Sequence, residues 1–159
     1  MGLLKGAFED YSSPLAGLPA RLFTGYLFLS YGLEKWSSRF GGDELRDLLI
    51  EWSGSTRYQF YVPFLEKVAI PYASVFAIGV TAAEILIGAA LLVGFCTRLA
   101  AAAGIFLCLN FALASGAGPV TAEEPIVFIV LLLTVWATAA GRTVGLDRVV
   151  KVFLPRWAA

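Results

Sequence analysis

The stretch from Phe76 to Gly104 constrains the fold of this chain most strongly. It is largely apolar, carries one carboxylate, Glu84, and is divided by a tight turn at Cys96-Thr97-Arg98. An apolar run of about 20 residues can cross a bilayer as a helix, and two runs joined by so few residues must be antiparallel neighbours. Because a carboxylate inside such a run costs free energy and usually has a partner or a function, Glu84 is the first candidate for a functional residue.

The composition is typical of an integral membrane protein. Of the 159 residues, 58% are hydrophobic and 15% are charged, whereas a soluble domain averages about 45–50% apolar and about 25% charged residues. The apolar runs are continuous and lack the alternation of a membrane β-barrel. We therefore predict an all-α integral membrane protein with a single domain over residues 1–159.

Apolar segments predict four membrane spans, which together would form a four-helix bundle. The spans lie at about residues 18–36, 71–94, 98–115 and 124–140, since each approaches the roughly 20 residues needed to cross a bilayer.

The long outer loop over residues 37–70 has structure of its own. Apolar residues recur in it at helical spacing, at Leu45, Leu48, Leu49 and Trp52, with charged residues on the opposite face. This pattern predicts an amphipathic helix between spans 1 and 2 that caps the bundle or lies on the membrane surface.

The basic residues predict how the chain lies in the membrane. The tail over residues 141–159 is basic, whereas the turn between spans 3 and 4 carries Glu123 and Glu124 but no base. Because loops rich in Lys and Arg stay in the cytoplasm, we predict a multi-pass protein of the cell (cytoplasmic or inner) membrane. Both termini would be cytoplasmic and the long loop would lie outside.

Several functions are excluded by charge and residue type. The formal net charge is zero, which does not support nucleic acid binding by a basic surface. The chain has no histidine, so we expect no haem or metal centre. Cys108 would lie about 15 Å along a helix from the turn that holds Cys96, too far for a disulfide. We therefore expect both cysteines to remain unpaired.

The buried polar groups of the spans fall at similar predicted depths. At about 1.5 Å per residue from the cytoplasmic edge, Glu84 lies about 15 Å deep and Asn110 about 18 Å deep. Arg21 can reach inward on span 1, and Thr134 lies slightly shallower on span 4. We therefore predict one polar layer, in which the guanidinium compensates the carboxylate. The layer either fixes the helix packing or faces a cavity where Glu84 takes up a proton or binds a polar head group.

Two further cations lie at the ends of spans. Charged side chains at such positions usually extend to the lipid head groups, which is the simplest interpretation of Lys35 and Arg98. Both are also candidates for ligand binding.

Three motifs occur in order along the chain. The first, R-x-x-x-G-x-x-F-x-x-x-G-x-x-K, comprises Arg21, Gly25, Phe28, Gly32 and Lys35. The second, E-x-x-x-G-x-x-L-L-x-G-x-x-T-R, comprises Glu84, Gly88, Leu91, Leu92, Gly94, Thr97 and Arg98. The third, G-R-x-x-G-L-D, comprises Gly141, Arg142, Gly145, Leu146 and Asp147. Over roughly residues 18–147 the chain thus resembles the DoxX/DoxD family, and its long aromatic loop, with Leu65 and Pro71 before span 2, is more similar to the DoxD branch.

The resemblance implies a four-helix membrane bundle associated with sulfur oxidation, in which DoxD-like subunits pass electrons from thiosulfate to quinone with a second subunit. Our leading hypothesis is a membrane subunit that binds a quinone or another lipid-phase small molecule and acts with a redox partner. As a subunit of a thiosulfate:quinone-type oxidoreductase it would not be catalytic alone, and whether the chain is an enzyme stays open.

Quinone chemistry needs groups that hydrogen-bond and protonate a carbonyl oxygen at membrane depth. Glu84 and Arg21 are the expected catalytic residues on this hypothesis. The expected quinone-binding residues are Asn110, Thr134, Lys35 and Arg98.

Two other classes of function are compatible with the sequence. The chain is alternatively a non-enzymatic scaffold, chaperone or assembly factor, whose polar layer holds the helices together and whose outer loop contacts another protein. The weaker alternative is transport of a small solute, for which four short spans would have to form a homo-oligomer.

Overall fold

The structure is a computed structural model that describes residues 17–118, 124–138 and 145–147. All regular structure in these ranges is helical. The longer helices are α1 (Leu18–Ser37), α2 (Gly42–Ser55), α3 (Ala73–Val93), α4 (Thr97–Ser115) and α5 (Glu124–Thr138). Short helical turns link α2 to α3: a 3₁₀ turn at Gln59–Tyr61, an α turn at Val62–Phe64 and a π turn at Leu65–Ala69.

These helices confirm the predicted all-α class for the described residues. Four of them, α1, α3, α4 and α5, begin close to the predicted apolar segments. The last two residues of the fourth segment and, apart from residues 145–147, the predicted basic tail lie outside the described residues. By length and composition, α3 and α4 can cross a membrane, and α5 is an apolar helix of 15 described residues.

The chain reverses direction between α3 and α4 through two residues whose backbone is in the left-handed conformation. Gly94 ends α3 with φ +72°, and Cys96 precedes α4 with φ 49°. The left-handed conformation at Gly94 is the usual way to end a helix, because glycine has no Cβ to clash. The tight turn expected at this point in the sequence is therefore present.

The amphipathic helix predicted in the outer loop is confirmed as α2. Its first turn is held by the N–H of Gly41, which donates to Oε2 of Glu44 at 3.0 Å. Leu45 and Leu49 are buried, and the half-buried Trp52 packs with them. Because α2 packs on α3, α4 and the π turn, it caps the other helices instead of lying alone on a membrane surface.

Helices α1 and α3 are antiparallel and pack closely at small residues. A Cβ built at Gly88 would lie 2.7 Å from the Cα of Leu29, and one at Gly32 would lie 2.8 Å from the backbone N of Ile85. A side chain at either position would therefore push the two backbones apart. Small residues that let helices approach in this way are typical of membrane proteins.

The polarity of α3 is inverted relative to a helix of a soluble protein. Its one carboxylate, Glu84, is buried, whereas Val75, Ile78 and Leu86 are 68–72% exposed. The core lies between the helices, where Phe28, Ile87, Leu91, Leu132 and Val135 pack together. An apolar outer surface around a buried charge suits a lipid environment, in which intramembrane charges face the protein interior.

Replacement of Gly88 by Ala is expected to lower the free energy of unfolding by about 1–3 kcal/mol, because the added methyl group overlaps the backbone of α1. The control is Gly79→Ala on the same helix, where a built Cβ has no heavy atom of the described residues within 4 Å. That control should be neutral or stabilising, since Ala favours helix over Gly by about 1 kcal/mol. Chemical unfolding in detergent, followed by circular dichroism, measures both. Equal stability of the two variants would contradict the close packing.

Candidate functional site

Glu84 forms an ion pair with Lys35. Lys35 lies in the last turn of α1, and Glu84 lies near the middle of α3. Lys35 Nζ donates a hydrogen bond to Glu84 Oε1 at 2.5 Å. Glu84 is only 5% exposed, and an unpaired buried carboxylate costs several kcal/mol. Lys35 is therefore the counter-ion of Glu84.

The ion pair lines a cavity of about 440 Å³, which we call the inner cavity. Its size falls in the range of about 300–1,000 Å³ that is usual for small-molecule sites. Its apolar lining consists of Phe28, Trp52, Cys108, Phe111, Pro125 and Phe128. Its polar lining consists of Tyr31, Lys35, Glu84, Ser115 and Glu124.

Aromatic rings surround the ammonium group of Lys35. Nζ lies 5.8 Å from the ring centroid of Phe111 and 5.9 Å from that of Phe40. Both distances fall within the range of about 6 Å in which a ring face attracts a cation. The ammonium group is thus held by one carboxylate oxygen and two rings.

The second oxygen of Glu84 lies in the wall of the inner cavity. Oε2 is buried and accepts no hydrogen bond from the described residues. Lys35 has three N–H donors, of which the bond to Oε1 uses one. The site therefore combines a free acceptor with spare donors among aromatic walls, where hydrogen bonds are stronger than in water. Such an arrangement can bind the polar head of an apolar molecule and exchange a proton with it.

A second polar pair lies where the inner cavity meets the surface. Tyr31, one turn before Lys35 on α1, donates its hydroxyl proton to Glu124 Oε1 at 2.5 Å. Both residues are exposed. Because residues four apart share a helix face, Tyr31 and Lys35 follow one another along the cavity wall.

Arg21 does not lie beside Glu84, so the predicted polar layer is not formed. Arg21 is buried, but it lies 14 residues before Lys35, or about 21 Å along α1. A Cβ built at Gly94 would lie 2.7 Å from Arg21 Nη1, which puts the guanidinium at the turn between α3 and α4. Its electrostatic neighbour there is Asp147.

Asp147 holds the start of α4. Its carboxylate is fully buried and accepts the N–H groups of Cys96 at 2.7 Å and Thr97 at 2.9 Å. The N–H of Asp147 in turn donates to the carbonyl of Gly94 at 2.8 Å. A carboxylate at this position satisfies free helix N–H groups and complements the helix dipole. Burial, and to a smaller extent the charge of Asp147, raises the pKa of the Cys96 thiol.

Asn110 belongs to a different pocket. Its Oδ1 accepts the hydroxyl of Tyr61 at 2.5 Å, and its Nδ2 donates to the carbonyl of Phe106 at 2.7 Å. Burial raises the pKa of Tyr61, so the hydroxyl keeps the proton that it donates. The pair lies in the wall of an almost entirely apolar pocket of about 430 Å³ between α2, α3 and α4, which we call the apolar pocket.

The other predicted ligand residues lie away from the inner cavity. Thr134 is exposed on α5, and its hydroxyl donates to the carbonyl of Val130 at 3.0 Å in its own helix. Arg98 lies at the start of α4, with its guanidinium 5.5 Å from the ring centroid of Trp136. Of the six predicted site residues, Glu84 and Lys35 line the inner cavity.

Three polar lining residues and one structural carboxylate were not among the predicted site residues. Tyr31, Ser115 and Glu124 line the inner cavity, and Asp147 accompanies Arg21. The sequence could have identified Tyr31 as a lining residue, because it lies on the same face of α1 as Lys35. For Glu124 the sequence shows only an acid in a turn, and its approach to α1 depends on the tertiary fold.

Comparison with known families shows which family the chain belongs to. The DoxX family model matches residues 16–116, more than half of the sequence. The chain therefore belongs to the DoxX family, and it is a membrane protein of that family. The matched range includes Lys35 and Glu84. No curated protein and no solved structure matches the chain.

Replacement of Lys35 by Met is expected to lower the free energy of unfolding by about 2–3 kcal/mol, because Glu84 then stays buried without a counter-ion. The double variant Lys35→Met/Glu84→Gln should lose less than the sum of the two single variants, with a coupling energy of about 1–2 kcal/mol. Lys67→Met, at an exposed lysine of the π turn, is the matched control and should be neutral. Additive effects in chemical unfolding would refute the ion pair.

Asp147→Asn is expected to destabilise the protein by about 1–2 kcal/mol, the usual effect of losing a helix cap. The carboxylate accepts one N–H hydrogen bond on each of its two oxygens, whereas the amide of Asn has only one acceptor oxygen. Asp47→Asn, on the exposed face of α2, makes the same chemical change without a cap and should leave stability unchanged. Unfolding curves measure the difference, and hydrogen exchange at Thr97 should accelerate only in Asp147→Asn.

Proposed function

We propose that this protein is a membrane subunit that binds a quinone in the inner cavity and acts with a redox partner in the oxidation of thiosulfate. The observation that carries the proposal is the pair formed by the half-buried Lys35 and the buried Glu84, whose second carboxylate oxygen accepts no hydrogen bond from the described residues, in a cavity walled by aromatic rings. The thiosulfate part rests on the similarity of the long aromatic loop to the DoxD branch.

The lining of the inner cavity fits a quinone head group. Lys35 has N–H donors for a carbonyl oxygen. Glu84 Oε2 is buried and accepts no hydrogen bond from the described residues, and it would accept a hydroxyl of the reduced form once the carboxylate turns towards the ligand. The rings of Phe28, Phe111 and Phe128 offer apolar surface for a flat ring. When bound, a quinone supplies the capacity to accept two electrons and two protons.

The chain's own residues would bind the head group, exclude water and hold protons. Lys35 donates a hydrogen bond to Glu84, and Tyr31 and Glu124 form a second polar pair in the lining of the same cavity. Proton transfer through positioned groups of this kind is effective over hydrogen-bond distances. The electrons would come from the partner subunit, since the chain has no histidine and its two cysteines are not paired with each other.

The same proposal includes an arrangement in the membrane. Helices α1, α3, α4 and α5 would form the four spans, with α2 and the inner cavity towards the outer side. The supporting observations are the exposed apolar surface of α3 and the excess of basic residues in the tail over residues 141–159. Under the positive-inside rule both termini are cytoplasmic, in a cytoplasmic or inner membrane.

Binding of ubiquinone and menaquinone to the purified protein tests the proposal. Glu84→Gln and Lys35→Met should weaken binding by about tenfold or more, since a hydrogen bond to a charged group contributes about 1.5–3 kcal/mol. Glu51→Gln makes the same chemical change as Glu84→Gln at an exposed position of α2 and should bind like the wild type.

Equal binding by the wild type and Glu84→Gln would refute the site. If no quinone binds and Glu84→Gln only lowers thermal stability, the Lys35–Glu84 pair serves helix packing. That outcome would favour a scaffold, chaperone or assembly factor over a redox subunit.

A further inference from the structure

We infer that the apolar pocket holds the hydrocarbon tail of the same molecule whose head group binds in the inner cavity. The ligand would accordingly be a prenylated or alkylated quinone taken directly from the bilayer. This inference rests on the proposed function and adds to it the class of ligand and its route of entry.

The two spaces share a wall. Trp52 of α2 and Phe111 of α4 line both the inner cavity and the apolar pocket. Their rings meet edge to face, with centroids 6.3 Å apart. A head group beside Lys35 is therefore separated from the apolar pocket by the thickness of these side chains. Trp52 is only half-buried, and its side chain would have to move aside for one molecule to occupy both spaces.

The lining of the apolar pocket selects a hydrocarbon chain over a polar molecule. Its polar side chains, Tyr61 and Asn110, already bond to each other. Asn110 also donates to the carbonyl of its own helix. The remaining lining is aliphatic or aromatic, so a polar occupant would lose hydrogen bonds to water without replacement.

The apolar pocket opens towards lipid. Its lining includes Val75 of α3 and Phe106 of α4, which are 68% and 70% exposed. Both helices are long and apolar enough to cross a membrane. A tail that enters between them never has to leave an apolar environment. Because lipid chains are as apolar as the pocket, the gain comes from packing and orientation, and we expect a moderate effect on affinity.

Gly79 provides a means to close the apolar pocket without disturbing the fold. It lines the pocket, and a Cβ built there has no heavy atom of the described residues within 4 Å. A leucine at this position would extend into the pocket. Gly54, on α2, has equally open surroundings but does not line the pocket, so Gly54→Leu is the matched control.

The experiment compares three probes in nanodiscs: a dimethoxy-methyl-benzoquinone without a tail, the same head group with a decyl chain, and decanol. We expect the decyl quinone to bind the wild type more tightly than the tailless quinone. Gly79→Leu should weaken the binding of the decyl quinone by about tenfold and leave the binding of the tailless quinone unchanged. Gly54→Leu should bind like the wild type. If Gly79→Leu folds poorly, Val75→Phe narrows the same opening.

The other outcomes show whether this inference alone, or the proposed function as well, is wrong. If both quinones bind but Gly79→Leu has no effect, the tail lies elsewhere and the inference is overturned, whereas the head-group site stands. If decanol binding depends on Gly79 and decyl quinone binding does not, the apolar pocket holds a separate lipid chain, which also overturns it. If neither quinone binds the wild type, the proposed function and this inference both fail.

Discussion

The close contact between α1 and α3 is the constraint on which the rest of the structure depends. With Gly32 against the backbone of Ile85 and Gly88 against that of Leu29, the antiparallel helices have one register. That register brings Lys35 to Glu84 at one end and Arg21 to the turn at Gly94 at the other. Because a shift by one residue would rotate the paired side chains apart, the glycines determine which cation neutralises the buried carboxylate.

The two cations of α1 lie beside carboxylates that differ in their hydrogen bonding. At the turn, both oxygens of the Asp147 carboxylate accept backbone N–H groups, so this carboxylate is satisfied by the protein itself. At the other end, Glu84 lines the inner cavity, and its buried Oε2 accepts no hydrogen bond from the part of the chain that the structure describes. Fully satisfied polar networks stabilise and specify a fold, whereas a free buried oxygen requires an explanation. This contrast is why we place function at Lys35 and Glu84.

The sequence predicts local features well and non-local pairings poorly. The periodicity of Leu45, Leu49 and Trp52 was sufficient for α2, and the reversal at Gly94 followed from its local pattern. The isolation of Glu84 in an apolar run was sufficient to predict that it has a partner. Its partner was not predictable, because counting depth along each helix gives neither the register between helices nor the direction of a long side chain such as Arg21. Asp147 is close to Arg21 only through the tertiary fold.

The cap on α4 has a consequence for where this domain ends. The family match stops at residue 116, yet Phe128, Leu132 and Val135 complete the core, and Asp147 closes the first turn of α4. The unit recognised by sequence similarity is therefore smaller than the unit that folds. A fragment cut at the edge of the match would expose the core and leave Arg21 buried without its acidic neighbour. Residues outside the range of a family match can thus be essential to the packing and charge balance of a domain.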